Sequence, residues 1–109
     1  MQSNLNSKLI ERLVAQTIIT SERVAAALKR VDRADFVREQ AFAYEDCPLS
    51  IGYNATISAP HMHAYCLGWL ENVLQPGAKV LDVGSGSGYL CAAFYEMTRG
   101  KVVGIEHVP

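Results

Sequence analysis

Lys79-Val80-Leu81-Asp82-Val83-Gly84-Ser85-Gly86-Ser87-Gly88-Tyr89 is the stretch on which the fold turns. A short apolar strand, Lys79 to Gly84, runs into alternating glycines, and a helix is expected from Tyr89 to Met97, stopped by Gly100. Val102-Val103-Gly104-Ile105-Glu106 then reads as a second strand. Strand, helix and strand in this order form a parallel βαβ unit. Glycines between a strand and a helix let the backbone turn tightly and approach a ligand closely. The helix start that follows offers N–H groups and a partial positive charge to an anion.

Working outward, Glu106 ends the second strand, where a carboxylate can accept hydrogen bonds from both hydroxyls of a ribose. The loop is G-x-G-x-G, not G-x-G-x-x-G, because Tyr89 stands where a dinucleotide-binding loop has its last glycine. An aspartate two residues before the first glycine also favours a methyltransferase over a nicotinamide enzyme. The combination predicts nucleoside-cofactor binding. The plainer alternative is a βαβ turn with an exposed acid, in which Asp82 only caps the loop amides. A parallel unit buries both sheet faces only with further strands and helices. The chain reaches Pro109 directly after the second strand. The expectation is therefore an α/β chain, truncated, with roughly half of a doubly wound Rossmann-like fold missing. Exposed apolar helix faces and unpaired strand edges are then expected to drive self-association.

The 109 residues are 50% hydrophobic with a formal net charge of −1. That balance gives no electrostatic footprint for nucleic acid, and scattered Lys and Arg give none for an anionic membrane. No apolar run approaches the ~20 residues of a membrane span. Met1-Gln2-Ser3-Asn4 does not start a signal peptide. Cys47, Cys66 and Cys91 are odd in number and widely spaced. They indicate free thiols in a reducing compartment, and a cytoplasmic location is expected. Asn54-Ala55-Thr56 matches the glycosylation pattern by chance.

Upstream, apolar residues at helical spacing predict a helix over about Asn4 to Gln16 and a second starting near Thr20-Ser21, with Val24, Ala27, Leu28 and Val31 buried. Val31 to Val37 reads as a turn into a short helix with Phe36 inward. Tyr44 to Ser58, with Pro48, Gly52 and Asn54, is irregular or hairpin-like. A third helix starts at Ser58 or Ala59, with Pro60 in its first turn. Its expected buried face is Met62, Tyr65, Cys66, Trp69, Leu70 and Val73, and Pro76-Gly77 is expected to end it. The boundary between an N-terminal helical and hairpin segment (1–58) and the first part of a cofactor-binding domain (59–109) falls at the start of this third helix.

On the residues alone, Ser58 is most simply a helix N-cap. His61 and His63 are polar residues satisfied at a surface or cleft, and no metal site is expected, since two histidines lack further ligands. Thr56-Ile57-Ser58-Ala59-Pro60-His61-Met62-His63-Ala64, followed by Asp82-Val83-Gly84-Ser85-Gly86-Ser87-Gly88-Tyr89, resembles the protein-L-isoaspartate methyltransferase family. So does Pro48-Leu49-Ser50-Ile51-Gly52-Tyr53. The likeness runs from about Leu9 to Val108. Asn54-Ala55 departs from the Gly-Gln of bacterial members toward the eukaryotic subtype.

The resemblance implies a class-I methyltransferase that moves a methyl group from S-adenosylmethionine to the α-carboxyl of L-isoaspartyl residues in damaged proteins and peptides. S-adenosylhomocysteine is the product. It places the active-site serine on Ser58. It places cofactor contacts on Thr56, Ile57, Ser58 and His63, on the loop residues Asp82, Val83, Gly84, Ser85, Gly86 and Ser87, and on Glu106 with His107. It also implies substrate peptides lying extended along 49–58. The rival readings are a different class-I methyltransferase, acting on a small molecule or RNA, and an inactive fragment that keeps only part of the cofactor site.

Overall fold

A computed structural model describes residues 2–107; Met1, Val108 and Pro109, the last two at the end of the expected 59–109 segment, lie outside it. Helix α1 (Gln2–Ala15) and helix α2 (Glu22–Lys29) pack against each other. Of the apolar set Leu5, Leu9, Ile10, Leu13 and Val14 that helical spacing picks out on α1, Leu9, Ile10 and Leu13 join Val24, Ala27 and Leu28 of α2 in the core, whereas Leu5 and Val14 stay exposed. Ser21 caps α2, its Oγ accepting the Val24 N–H at 3.3 Å. A 3-10 turn (Arg33–Phe36) follows, capped by Asp32, and a second (Gln40–Phe42) leads to the hairpin. Phe36 packs inward, edge-on to Tyr89 with ring centroids 5.5 Å apart.

Strands β1 (Leu49–Gly52) and β2 (Ala55–Ile57) pair antiparallel, with Leu49 opposite Ile57 and Ser50 opposite Thr56. Tyr53 (φ 56°) and Asn54 (φ 58°) both take left-handed backbone at the tip. That is the twist a two-residue hairpin turn needs, and it is an unusual conformation for a tyrosine. Helix α3 (Pro60–Leu70), a 3-10 turn (Glu71–Val73), strand β3 (Val80–Val83), helix α4 (Tyr89–Thr98) and strand β4 (Val102–Ile105) complete the described chain. Strands β3 and β4 are parallel, in register from Val80 opposite Val102 to Val83 opposite Ile105. The expected βαβ unit is therefore present. Helix α4 covers one face of this pair and also meets α2. Leu81, Val83, Val103 and Ile105 stand exposed on the other face.

Three expectations are corrected. Met62, Tyr65, Trp69, Leu70 and Val73 are exposed and Cys66 is half-buried; the covered face of α3 is Pro60, His63, Ala64 and Leu67. Both sets have helical spacing, because α3 is apolar nearly all round, so periodicity could not choose between them. The choice is made by α2 and by Tyr89, whose ring lies 4.6 Å from that of His63. The helix proper also stops at Leu70, before Pro76-Gly77. Second, Ser58 does not cap α3: Ala59 is the N-cap, without a side-chain hydrogen bond, and Pro60 takes the first helical position. Third, α4 is stopped by Arg99 in left-handed backbone (φ 51°), not by Gly100. Gly100 is needed for space, since a Cβ there would overlap the Ala78 carbonyl.

Candidate functional site

The glycine loop is closed by its own neighbours. Gly84 and Ser85 donate their N–H groups to the Ile105 carbonyl at 2.7 and 3.1 Å, which pins the loop to the end of β4. Gly84 (φ 77°) and Gly86 (φ 59°) hold left-handed backbone that a side chain would strain. The Gly86 N–H donates to Glu106 Oε1 at 2.8 Å. The acid predicted to hold a ribose thus touches the loop, one residue beyond the end of β4. No side chain caps α4, whose N-cap is Gly88. Among the described residues Asp82 does not cap the loop amides; its Oδ2 accepts from Cys91 Sγ at 3.5 Å. Burial, then the Asp82 charge, pushes the Cys91 thiol pKa up.

A cleft of about 90 Å³ lies between this loop and the end of the hairpin. Thr56, Ile57, Ser58, His63, Asp82, Gly84, Ser85, Gly86 and Ser87 all line it, with Tyr89 and Leu90. These residues come from two stretches far apart in sequence, joined by packing of α3 on Tyr89. A second cleft of about 130 Å³ shares Gly86 and Ser87 and adds Glu106, Ile51, Gly52, Tyr53 and Ala55. Val83 and His107 line neither. Val83 is exposed on the uncovered sheet face, and the His107 ring lies at the surface with Nδ1 3.4 Å from Glu106 Oε2.

Ser58 is exposed, and its hydroxyl makes no hydrogen bond among the described residues; its carbonyl accepts from Arg33 at 2.9 Å. His61 is a surface residue whose backbone N–H and Nδ1 both meet Asp46 Oδ1 at 2.9 Å. His63, by contrast, is buried against the cleft. Burial, and then the Arg33 charge, holds its pKa down at about 4.

This has a consequence for stability. A neutral, buried His63 resists protonation while the unfolded chain takes up a proton near pH 6.5. The stabilisation is full above 6.5 and is lost as pH falls from there toward 4. The shift corresponds to about 3 kcal/mol across that window. Urea unfolding at pH 7 and pH 4.5 should show this slope, and a His63→Gln variant should flatten it; an equal slope in both would refute the assignment.

Sequence reasoning overlooked Arg33 and the ring of Tyr89. Both are buried and both meet His63, at 3.5 Å to Nδ1 for Arg33 and 4.6 Å between rings for Tyr89. The tyrosine did carry a signal, since it stands where the dinucleotide loop has glycine. Arg33 carried none, because arginine after Asp32 reads as a solvated turn.

Comparison with known proteins accords with this arrangement. The sequence model of the Protein-L-isoaspartate(D-aspartate) O-methyltransferase (PCMT) family matches residues 3–109. Protein-L-isoaspartate O-methyltransferase 1 of Arabidopsis thaliana is 55% identical over 108 residues, covering 97% of this chain and 47% of the relative. The Caenorhabditis elegans protein-L-isoaspartate O-methyltransferase is 55% identical over 106 residues, covering 95% and 46%. The crystal structure of a Plasmodium falciparum protein-L-isoaspartate O-methyltransferase in complex with S-adenosyl-L-homocysteine superposes with a TM-score of 0.89 at 39% identity, covering 94% of this chain and 49% of that one. The chain spans about half the length of the curated relatives it matches. A family match over nearly every residue, with the glycine loop and the Thr56–Ala64 stretch meeting at one cleft, means that the chain belongs to the protein-L-isoaspartate (D-aspartate) O-methyltransferase family.

Proposed function

We propose that this chain carries the cofactor-loop and serine-bearing part of a protein-repair methyltransferase that uses S-adenosylmethionine to methylate L-isoaspartyl α-carboxyls in damaged proteins. The observation that carries the reading is the shared cleft, which brings Thr56, Ile57, Ser58 and His63 against Gly84 to Ser87. The residues fit the cofactor. The loop backbone has no side chain in the way at Gly84, and Glu106 already hydrogen-bonds a loop amide beside the second cleft. Gly84 to Ser87 would lie beneath the methionine portion, with Thr56, Ile57 and His63 beside it, and Glu106 would hold the ribose. Val83 contributes through the strand that carries the loop, and His107 through its contact with Glu106.

When bound, S-adenosylmethionine supplies an electrophilic methyl group on a sulfonium. The acceptor carboxylate, with a pKa near 4, is already ionised at neutral pH, so no general base is needed. The chain's own task is alignment. The free, exposed hydroxyl of Ser58 donates to the acceptor carboxylate or an adjacent peptide group and fixes its angle. Alignment of this kind supplies several kcal/mol of rate acceleration. An extended substrate peptide would run beside the 49–58 hairpin, which offers backbone groups to any sequence.

The two clefts together fall short of the ~300 Å³ at which small-molecule pockets begin. The uncovered face of β3 and β4 is further expected to draw copies of the chain together. The free thiols of Cys47, Cys66 and Cys91 suit the reducing, cytoplasmic setting we propose. The test is calorimetric titration of S-adenosylhomocysteine into the chain, with its association state set by sedimentation, followed by methylation of an isoaspartyl peptide. The expected result is binding without turnover, which identifies a half-site. Turnover would show a complete site assembled by the chain or its oligomer. Absence of binding would defeat the reading for this chain.

A further inference from the structure

Arg33 is fully buried, and among the described residues no carboxylate lies within ion-pair distance of it. A buried cation without an anion costs several kcal/mol unless hydrogen bonds compensate it. Arg33 spends its donors on three pieces of chain that sequence does not bring together. One terminal nitrogen donates to the Ser58 carbonyl at 2.9 Å and the Cys47 carbonyl at 3.2 Å. The other lies 3.5 Å from His63 Nδ1. Among the described residues its Nε has no hydrogen-bond partner. The guanidinium also sits over the Tyr89 ring, 5.8 Å from its centroid, at the start of the helix that follows the glycine loop.

Two of the partners, Ser58 and His63, line the cleft, and Arg33 stands behind both. An arginine can only donate. A bond to His63 Nδ1 therefore requires a lone pair on Nδ1, which in a neutral imidazole puts the proton on Nε2. The ring can then offer the cleft a donor and not an acceptor, which suits a carboxylate ligand. Resting on the reading of this cleft as a methyl-transfer site, we propose that Arg33 is a positioning residue: it anchors Ser58 through its carbonyl and locks His63 as an Nε2–H donor.

The charged or titratable groups around His63 are Arg33 itself from the 3-10 turn and Tyr89 from α4. Asp46 and Cys47 act on Arg33 from the loop that leads into β1, and Asp32 acts on Tyr89.

Two-bond proton–nitrogen correlation spectra of the 109-residue chain, labelled at histidine, read the tautomer directly. The expected spectrum at pH 7 shows His63 protonated at Nε2. A wild-type spectrum with the proton on Nδ1 overturns the proposal, whatever any variant does. Arg33→Met keeps the bulk but removes donor and charge. It should mix the tautomers, let His63 titrate at higher pH, and weaken S-adenosylhomocysteine binding on the order of tenfold, the scale of one hydrogen bond. Arg33→Lys keeps the charge and one donor and should recover part of both effects. If Arg33→Met does not fold, the Lys variant and the wild-type spectrum decide. A folded Arg33→Met chain with unchanged His63 spectrum and unchanged binding refutes the role. If His63 follows Arg33 as expected but no chain binds S-adenosylhomocysteine, the positioning stands and the methyl-transfer reading of this chain fails.

Discussion

Replacing Asn6 with alanine is expected to destabilise the chain by about 4 kcal/mol and lower its melting temperature by on the order of 20 °C. Asn6 has no solvent exposure, although α1 is otherwise an ordinary amphipathic helix. Its amide nitrogen donates to the carbonyls of Leu28 and Val31, both at 3.1 Å, and to that of Lys29 at 3.4 Å. Its Oδ1 accepts the Arg33 N–H at 3.3 Å. At the end of α2 the Leu28 carbonyl also accepts the Val31 N–H at 3.2 Å, and the Asn6 side chain from another helix supplements that bond and serves the Lys29 and Val31 carbonyls. Alanine leaves several buried polar groups unpaired at once, each costing about 1–3 kcal/mol. Asn4→Ala, at an exposed position of the same helix, should change stability by less than about 0.5 kcal/mol. Thermal unfolding of the two variants separates these cases, and a loss below about 1 kcal/mol for Asn6→Ala would mean that the network is not what holds α1 to α2. The same substitution should disturb the His63 tautomer, because Asn6 holds the backbone of Arg33.

Glu106→Ala should weaken S-adenosylhomocysteine binding about a hundredfold, the equivalent of two charge-assisted hydrogen bonds at a partly shielded site. Glu106 Oε1 accepts the Gly86 N–H at 2.8 Å, and the carboxylate borders the cleft formed by Gly86, Ser87 and the hairpin tip. The hydroxyls of a ribose there would donate to the same carboxylate. Glu106→Gln keeps one acceptor oxygen and should fall between wild type and alanine. Stability should barely change, since the Gly86–Glu106 bond is solvent-exposed. Calorimetry on the three chains checks the order. Equal affinities would remove Glu106 from the site; a lost fold would point to a structural bond instead.

The cofactor side of the site was legible because it is local. Gly84, Gly86 and Gly88 adopt the positive φ that only glycine takes easily, and they lie between a strand and a helix that the sequence also displays. The Thr56–Ala64 stretch was legible by family resemblance and not by physics, which favoured a capping role that Ser58 does not have. The bias of α3 was not legible at all. Met62, Tyr65 and Trp69 have the same helical spacing as the residues that are in fact covered, and are the larger and more apolar ones.

The sequence by itself determined the order strand, glycine turn, helix and strand, the buried face of α2, and the glycines on which the loop turns. Each of these follows from side-chain periodicity or from steric limits within a few residues. Only the tertiary structure decided that α3 turns His63 and Leu67 inward, that Arg33 is buried behind Ser58, and that Glu106 reaches the Gly86 amide. Those outcomes depend on contacts between residues 20 or more positions apart, such as Arg33 with His63 and Gly86 with Glu106. There the free energy of packing and of satisfying buried polar groups outweighs local preference, and a pattern read along the chain has no access to it.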